Sequence, residues 1–471
     1  MTKYILTLLL IFDISYSMNR SISGQLEPDR NLMFSQDIRT KSKVVSVQAY
    51  NTETLQYYAT NAKLARIVSF DGGGVRGIGA ASWCANFEHI TGKPMADLFN
   101  FFAGTSTGGI IATALTMENP KFFKPPLSSA EYIDENANFF KPSPSDAFAG
   151  TSTGGTASTT SITKNLTLSK RSSGNAEVNA NKSTRSLYSA DDIVDLYINE
   201  CKNIFKPRSL LGYLFVSKYK TDSAYATFDK YFSNTKLSQI RSDCDLLITY
   251  YNLTNNHPAL FRSHKAKNPI FSRNEDFYLK DIIASTTAAP TYFKEFKLYS
   301  AHSKGHPEIH SNNFISAIDG GVAANDPSIC ALAEATSLYR NADAFLSVSM
   351  GTGNCVSEVN PRGLISWAKN ISSILMQNTY VMSNQLLKKF GGNSNKPVFC
   401  SRLQFDVSEA HSAMDNKSPQ NISYLRHQAQ NTSSAIWKIE KISNALEITK
   451  KPERHDLIGD ILFSESNVME I

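Results

Sequence analysis

Gly104-Thr105-Ser106-Thr107-Gly108 stands between an apolar run, Leu98-Phe99-Asn100-Phe101-Phe102, and a helix-like run, Ile110-Ile111-Ala112-Thr113-Ala114-Leu115. A strand that must pass so abruptly into a helix confines the chain to an alternating α/β arrangement, and glycines on both sides let the backbone turn with little steric cost. In such a Gly-x-Ser-x-Gly elbow the middle hydroxyl is lifted out for nucleophilic attack, which makes Ser106 the candidate nucleophile. The segment Ala103 to Gly109 recurs letter for letter at Ala149 to Gly155. That copy follows Lys141-Pro142-Ser143-Pro144 and runs into Thr156-Ala157-Ser158-Thr159-Thr160, with no apolar helix to support it, so Ser152 is read as a decoy.

Two further segments carry chemistry. Ala65 to Phe70 reads as a short buried strand that leads directly into Asp71-Gly72-Gly73-Gly74-Val75-Arg76-Gly77. Successive glycines leave backbone N–H groups unobstructed, so Gly72, Gly73 and Gly74 are candidate donors to an acyl oxyanion, with Arg76 positioning the loop or adding positive potential. The same residues also suit a plain tight turn. A nucleotide P-loop is excluded, because Gly92-Lys93 is followed by Pro94 and the Gly-x-x-x-x-Gly-Lys-Ser/Thr pattern is missing. Phe314 to Ile318 then delivers Asp319 onto Gly320-Gly321, a candidate base at a strand end, while Asp326-Pro327 reads as the cap of the next helix.

Asp71-Gly-Gly-Gly-Val-Arg-Gly77, Gly104-Thr-Ser-Thr-Gly108 and Asp319-Gly320-Gly321, in that order, resemble the patatin-like phospholipase family. Ala284-Ser285-Thr286-Thr287-Ala288-Ala289-Pro290-Thr291-Tyr292-Phe293 and Ser349-Met350-Gly351-Thr352-Gly353 resemble two further family segments, so the likeness covers roughly residues 65 to 430. It implies a three-layer α/β sandwich, a mainly parallel sheet flanked by helices with a helical C-terminal region. It also implies a Ser106–Asp319 dyad that cleaves acyl esters of glycerophospholipids with no cofactor or metal. The chain further resembles secreted bacterial effectors of the family, which implies membrane phospholipid as substrate and a host protein such as ubiquitin as activator. Two other readings stand beside it. Ser106, Asp319 and then His411 or His427 follow the chain order of an α/β-hydrolase triad; and patatin itself resembles a storage protein, which would make the role non-catalytic.

The organisation expected is a leader at 1–17, an extension at 18–62, a catalytic domain at 63–430 and a helical tail at 431–471. At 471 residues and 41% hydrophobic the chain can bury a large core. Strands are expected at Ala65–Phe70, Leu98–Ala103, Leu246–Tyr251, Phe314–Ile318 and Ala344–Met350. The apolar run Tyr4 to Phe12 is too short to span a bilayer, reaching about 14 Å of the roughly 30 Å required, and Ser15-Tyr16-Ser17 suits cleavage of an exported chain. Residues 142–187 read as a disordered insertion, since 17 of residues 151 to 190 are Ser or Thr. After it, Ser189 caps an amphipathic helix. The six scattered cysteines form no Cys-x-x-Cys pair, with Cys84 and Cys330 expected in the core, and His302, His306 and His310 read as loop residues. Trp367, Ile371, Ile374, Leu375, Val381, Met382, Leu386 and Leu387 form a stripe suited to core packing or to interfacial docking. The net charge of +6 accords with anionic membranes, and no compact basic patch with aromatics suggests nucleic acid. Phe101, Tyr292 and Phe293 are candidates for shaping an acyl channel.

Overall fold

The computed structural model describes residues 63–122, 185–209, 217–302, 314–355, 381–383, 385–387, 389, 396–448 and 451–452. The leader, the extension, Ser152, most of the insertion, His306, His310 and Trp367 to Leu375 lie outside the described residues.

Among the described residues eight strands make one sheet: β1 (Leu64–Phe70), β2 (Phe101–Gly104), β3 (Asp245–Asn252), β4 (His257–Arg262), β5 (Phe296–Leu298), β6 (Ile315–Asp319), β7 (Ala344–Met350) and β8 (Val398–Leu403). β1 pairs in parallel with β2 and β7, β2 with β3, and β7 with β8. The antiparallel pairs are β3 with β4, β3 with β6, and β5 with β6.

Strands buried on both faces read as unbroken apolar runs, and β1 and β7 are buried at every residue. Alternate side chains then feed two cores. Ala65 and Ile67 of β1, Phe101 and Ala103 of β2 and Phe345 of β7 pack with Ala331, Leu332, Ala335 and Leu338. Val68, Phe70, Phe102, Ile248, Val348 and Met350 point into the larger core on the other face. The larger core is closed by α1 (Ile78–Thr91), α2 (Thr107–Thr116), α3 (Ala190–Ile204), α4 (Thr221–Phe232) and α5 (Leu279–Thr286). The smaller is closed by α6 (Ser328–Leu338). Helices on both sides of a mainly parallel sheet give the expected three layers.

The C-terminal helices α7 (Pro419–Asn431) and α8 (Ser433–Ile448) also pack on the larger core. Ala435, Ile439, Ile442 and Leu446 lie in that core, so it continues past residue 430, where the sequence placed a tail. α3 starts as the sequence indicates: Ser189 Oγ accepts from Asp192 N, and the Asp192 carboxylate accepts from Ser189 N in a reciprocal cap.

Two expectations need correction. The strand expected at Leu98 starts at Phe101, because Pro94 opens a helical turn over Met95–Leu98, closed by Phe99 N donating to Met95 O at 2.9 Å. Cys330 is half-buried rather than core. Of the described stripe residues, Leu387 joins a core and Val381, Met382 and Leu386 are exposed. β4, β5 and β8 went unread because Pro258, Lys297 and Arg402 interrupt their apolar patterns. Among the described residues no helix is long and apolar enough to cross a membrane.

Trp83 joins α1 to the C-terminal helices. It is fully buried, its indole N–H donates to Ala429 O at 2.9 Å, and Phe405 meets it edge-on at 5.5 Å. Trp83→Ala is expected to lower stability by about 3–5 kcal/mol, read as a shift of the urea unfolding midpoint. An unchanged midpoint would mean that the C-terminal helices contribute nothing to the core.

Candidate active site

Ser106 sits where β2 gives way to α2, with φ 53° and ψ −120°, a conformation rare for a residue bearing a side chain. Such a backbone costs on the order of 1–3 kcal/mol and persists only when its surroundings fix it. Here Ser106 N donates to Thr286 Oγ1 at 2.8 Å, and Thr286 Oγ1 donates onward to Thr249 O at 2.7 Å. Thr105 is pinned beside it, its hydroxyl 2.7 Å from Thr249 Oγ1 and 2.8 Å from Ala324 O. Thr107 Oγ1 bonds to Tyr197 Oη of α3. The motif's second glycine is needed because a Cβ on Gly108 would overlap the Phe70 carbonyl.

Sheet topology brings Asp319 to this serine. A strand has two edges, and β4 occupies one edge of β3 from Leu247 to Asn252. β2 pairs with Asp245 to Ile248 and β6 with Tyr250 to Asn252, so both lie along the opposite edge, β6 beginning where β2 ends. Asp319, paired with Tyr250, therefore follows Gly104, paired with Ile248, with only Thr249 between them on β3. Asp319 is fully buried, and its Oδ1 accepts from Gly321 N at 2.7 Å. Burial pushes its pKa up to about 7, against the opposing pull of the Gly321 N–H and of the Ser106 hydroxyl. Its Oδ2 has no partner in full hydrogen-bond geometry among the described residues, although the Ser106 hydroxyl is close enough to stabilise the charge.

The glycine loop lies against the same turn: a Cβ on Gly72 would stand 3.3 Å from Ser106 Cβ. Its three N–H groups differ in availability. Gly72 N donates to Asn325 O at 3.1 Å, so it is engaged rather than open, while Gly73 and Gly74 N–H meet no acceptor among the described residues. Thr352 Oγ1 and Asn325 Nδ2 hold the loop by donating to Gly72 O at 2.7 and 3.3 Å. Arg76 is buried, with Nε 3.4 Å from Gly73 O, a position that braces the loop. Arg402 of β8 forks onto the Asp71 carboxylate, Nη1 to Oδ1 at 2.9 Å, and Asp326 Oδ1 caps Ser328 N at 2.9 Å.

A pocket partly open to solvent contains Ser106 in its wall. Its lining is mostly apolar, including Ile110, Leu196, Phe205, Phe228, Phe293 and Met414. Tyr292 and Phe293 thus line the pocket as expected, whereas Phe101 belongs to the core on the opposite face of the sheet. Neither histidine of the alternative triad lines it. His411 Nδ1 lies 2.7 Å from Asn421 Oδ1 with its ring stacked 3.8 Å from Tyr424, and His427 is exposed on α7.

Thr249, Asn325, Tyr197 and Arg402 were missed in the sequence, which offers no local signal for them. Thr286 and Thr352 stood within quoted segments without assigned roles.

A family model described as Patatin-like phospholipase matches residues 68–329. Patatin-like protein 2 of Arabidopsis thaliana is 26% identical, with the alignment covering 67% of this chain and 68% of that protein. Patatin-like protein 3 of the same plant is 27% identical over 62% of this chain and 59% of its own length. Probable inactive patatin-3-Kuras 1 of Solanum tuberosum is 24% identical over 64% and 65% respectively. Among solved structures, VipD from Legionella pneumophila aligns at 10% identity over 78% of this chain and 68% of that chain with a TM-score of 0.28, a likeness too loose to support an argument.

Thr286→Val keeps the shape of the side chain but strips Ser106 N and Thr249 O of their shared partner. Each buried group left unpaired costs about 1–3 kcal/mol. If the turn relaxes, ester hydrolysis is expected to fall roughly tenfold to a hundredfold in kcat with KM little changed, and stability to drop. Unaltered kcat would show that the Ser106 backbone does not depend on this pair.

Proposed function

Since the chain belongs to the patatin-like phospholipase family, we propose that it is a lipid acyl hydrolase that cleaves fatty acyl esters of glycerophospholipids through Ser106 and Asp319. The observation that carries this reading is a buried carboxyl, Asp319, brought beside a strained serine in the wall of an apolar pocket.

Ser106 Oγ attacks the ester carbonyl as its proton passes to Asp319, and Gly73 and Gly74 N–H receive the negative oxygen. Asp319 then returns the proton to the departing alcohol oxygen, leaving an acyl-enzyme on Ser106. Water, activated by the same carboxylate, cleaves that ester and restores the serine. No step is routed through a metal or cofactor. The apolar lining suits a fatty acyl chain, and exclusion of water strengthens the hydrogen bonds to the oxyanion. A carboxylate is ordinarily a poor match for a serine hydroxyl, and burial narrows that gap by raising its proton affinity. Family membership alone does not establish activity, since one relative carries the name of a probable inactive patatin; the reading therefore rests on this chain's own serine, carboxylate and loop.

Fatty-acid release from mixed phospholipid vesicles tests the proposal, run with and without ubiquitin because the family likeness implied a host activator. Ser106→Ala and Asp319→Asn are each expected to lose roughly a thousandfold or more, and Ser152→Ala to keep full activity. Full activity in Ser106→Ala would overturn the proposal.

The raised Asp319 pKa also sets the pH dependence. The base form is required, so activity is expected to rise as pH passes through about 7. Stability moves the other way. The folded protein holds a proton that the unfolded carboxyl releases at lower pH, so this contribution is full below the ordinary carboxylate range and is lost as pH rises through about 7. Asp319→Asn should remove that part of the pH dependence of unfolding, measured by denaturation at several pH values. A profile identical to wild type would place the titration elsewhere.

A further inference from the structure

Beside the pocket, residues 206–208 and 218–220 form a short antiparallel ladder. Pro207 bridges Tyr219, Arg208 N donates to Lys218 O at 3.1 Å, and Lys220 N donates to Lys206 O at 3.0 Å. This register sets Lys206 opposite Lys220 and Arg208 opposite Lys218. Like charges directly opposite one another destabilise a strand pair unless an anion lies between them. Lys218 is paired with Asp415, but Lys206, Arg208 and Lys220 have no carboxylate partner among the described residues. Lys417 adds a fifth cation, its Nζ donating to Phe205 O and lying 5.7 Å from the centre of the Tyr219 ring.

The ladder is tied to the pocket wall. Lys218 N and Tyr219 N donate to Thr291 O and Tyr292 O at 3.0 and 2.9 Å. The Tyr219 ring meets Phe205, Tyr292 and Phe293, all of which line the pocket, at 5.3, 6.2 and 5.8 Å. The cations therefore form a collar on the aromatic layer that also walls the pocket of Ser106.

We propose that this collar, Lys206, Arg208, Lys218, Lys220 and Lys417, docks the protein on an anionic phospholipid bilayer by engaging lipid phosphates and carboxylates next to the pocket. The occupant follows from charge complementarity: five cations gathered on one aromatic layer, against the single carboxylate of Asp415, suit a surface of anionic headgroups. This inference rests on the lipid hydrolase reading for its purpose, but its test does not require hydrolysis.

Binding is measured by co-sedimentation with vesicles of phosphatidylcholine, alone or mixed roughly 2:1 with phosphatidylserine, using full-length protein carrying Ser106→Ala so that the vesicles stay intact. Lys206→Gln/Lys220→Gln is the test pair, since both side chains are exposed. Lys93→Gln/Lys441→Gln removes the same charge from distant exposed sites. The parent should bind the mixed vesicles far better than phosphatidylcholine alone. The test pair should weaken that binding about thirtyfold, since each basic residue at an anionic surface contributes on the order of a fivefold factor. The control pair should change it little, and salt should reduce the preference. The test pair should keep the urea unfolding midpoint of the parent, which shows that it folds. Equal binding to both vesicle types, or equal loss in test and control pairs, overturns the proposal. If the parent binds anionic vesicles through the collar while wild type releases no fatty acid, the docking surface stands and the hydrolase reading fails.

Discussion

Thr249 of β3 occupies the gap between the end of β2 and the end of β6, and the candidate site is assembled around it. Its carbonyl takes the Thr286 hydroxyl that fixes Ser106 N, its hydroxyl meets Thr105, and a Cβ on Gly320 would overlap its hydroxyl oxygen. β2 ends early enough to leave the far part of that edge to β6. A serine carried past the end of one strand and an aspartate at the end of another thereby meet with little freedom to separate. The parallel strands supply the rigid frame, and the helix that starts at Thr107 fixes the direction in which the serine leaves it.

Burial gives that meeting its chemical character. An exposed aspartate near a serine would remain ionised and weakly basic, whereas Asp319 inside the fold has its proton affinity raised toward neutral. The site tolerates the buried charge because Gly321 N–H and the serine hydroxyl face the carboxyl. The glycine loop is held from the other side by Asn325 and Thr352, and Asp71 at its start is held by Arg402. Strands β1, β2, β6, β7 and β8 thus each contribute through the loops or residues at their ends, as expected for an open α/β sheet.

Much of this was legible because local requirements leave local marks. Glycines mark the elbow and the loop, since a side chain at Gly108 has no room, and apolar runs mark β1, β3, β6 and β7 within a residue or so of their observed bounds. Contacts set by tertiary placement left no such mark. Thr249 is one of two β-branched residues in β3, next to Ile248, and Arg402 interrupts β8 for the sake of a partner more than three hundred positions away. The engagement of Gly72 N–H by Asn325 O could not be read from three adjacent glycines, although it separates one from the other two. Phe101 was misassigned for a related reason: alternation along β2 sends it and Phe102 to opposite faces, and only the second points toward the helices that wall the pocket.

In the proposed mechanism Ser106, not its duplicate, is the nucleophile and Asp319 activates it. This is tested most directly by reacting the full-length protein with a fluorophosphonate and locating the adduct by peptide mass spectrometry. A single adduct on Ser106 is expected, formed faster as pH rises through about 7 and strongly slowed in Asp319→Asn. An adduct on Ser152, or labelling of Ser106 at the same rate with Asp319 replaced, would contradict that mechanism.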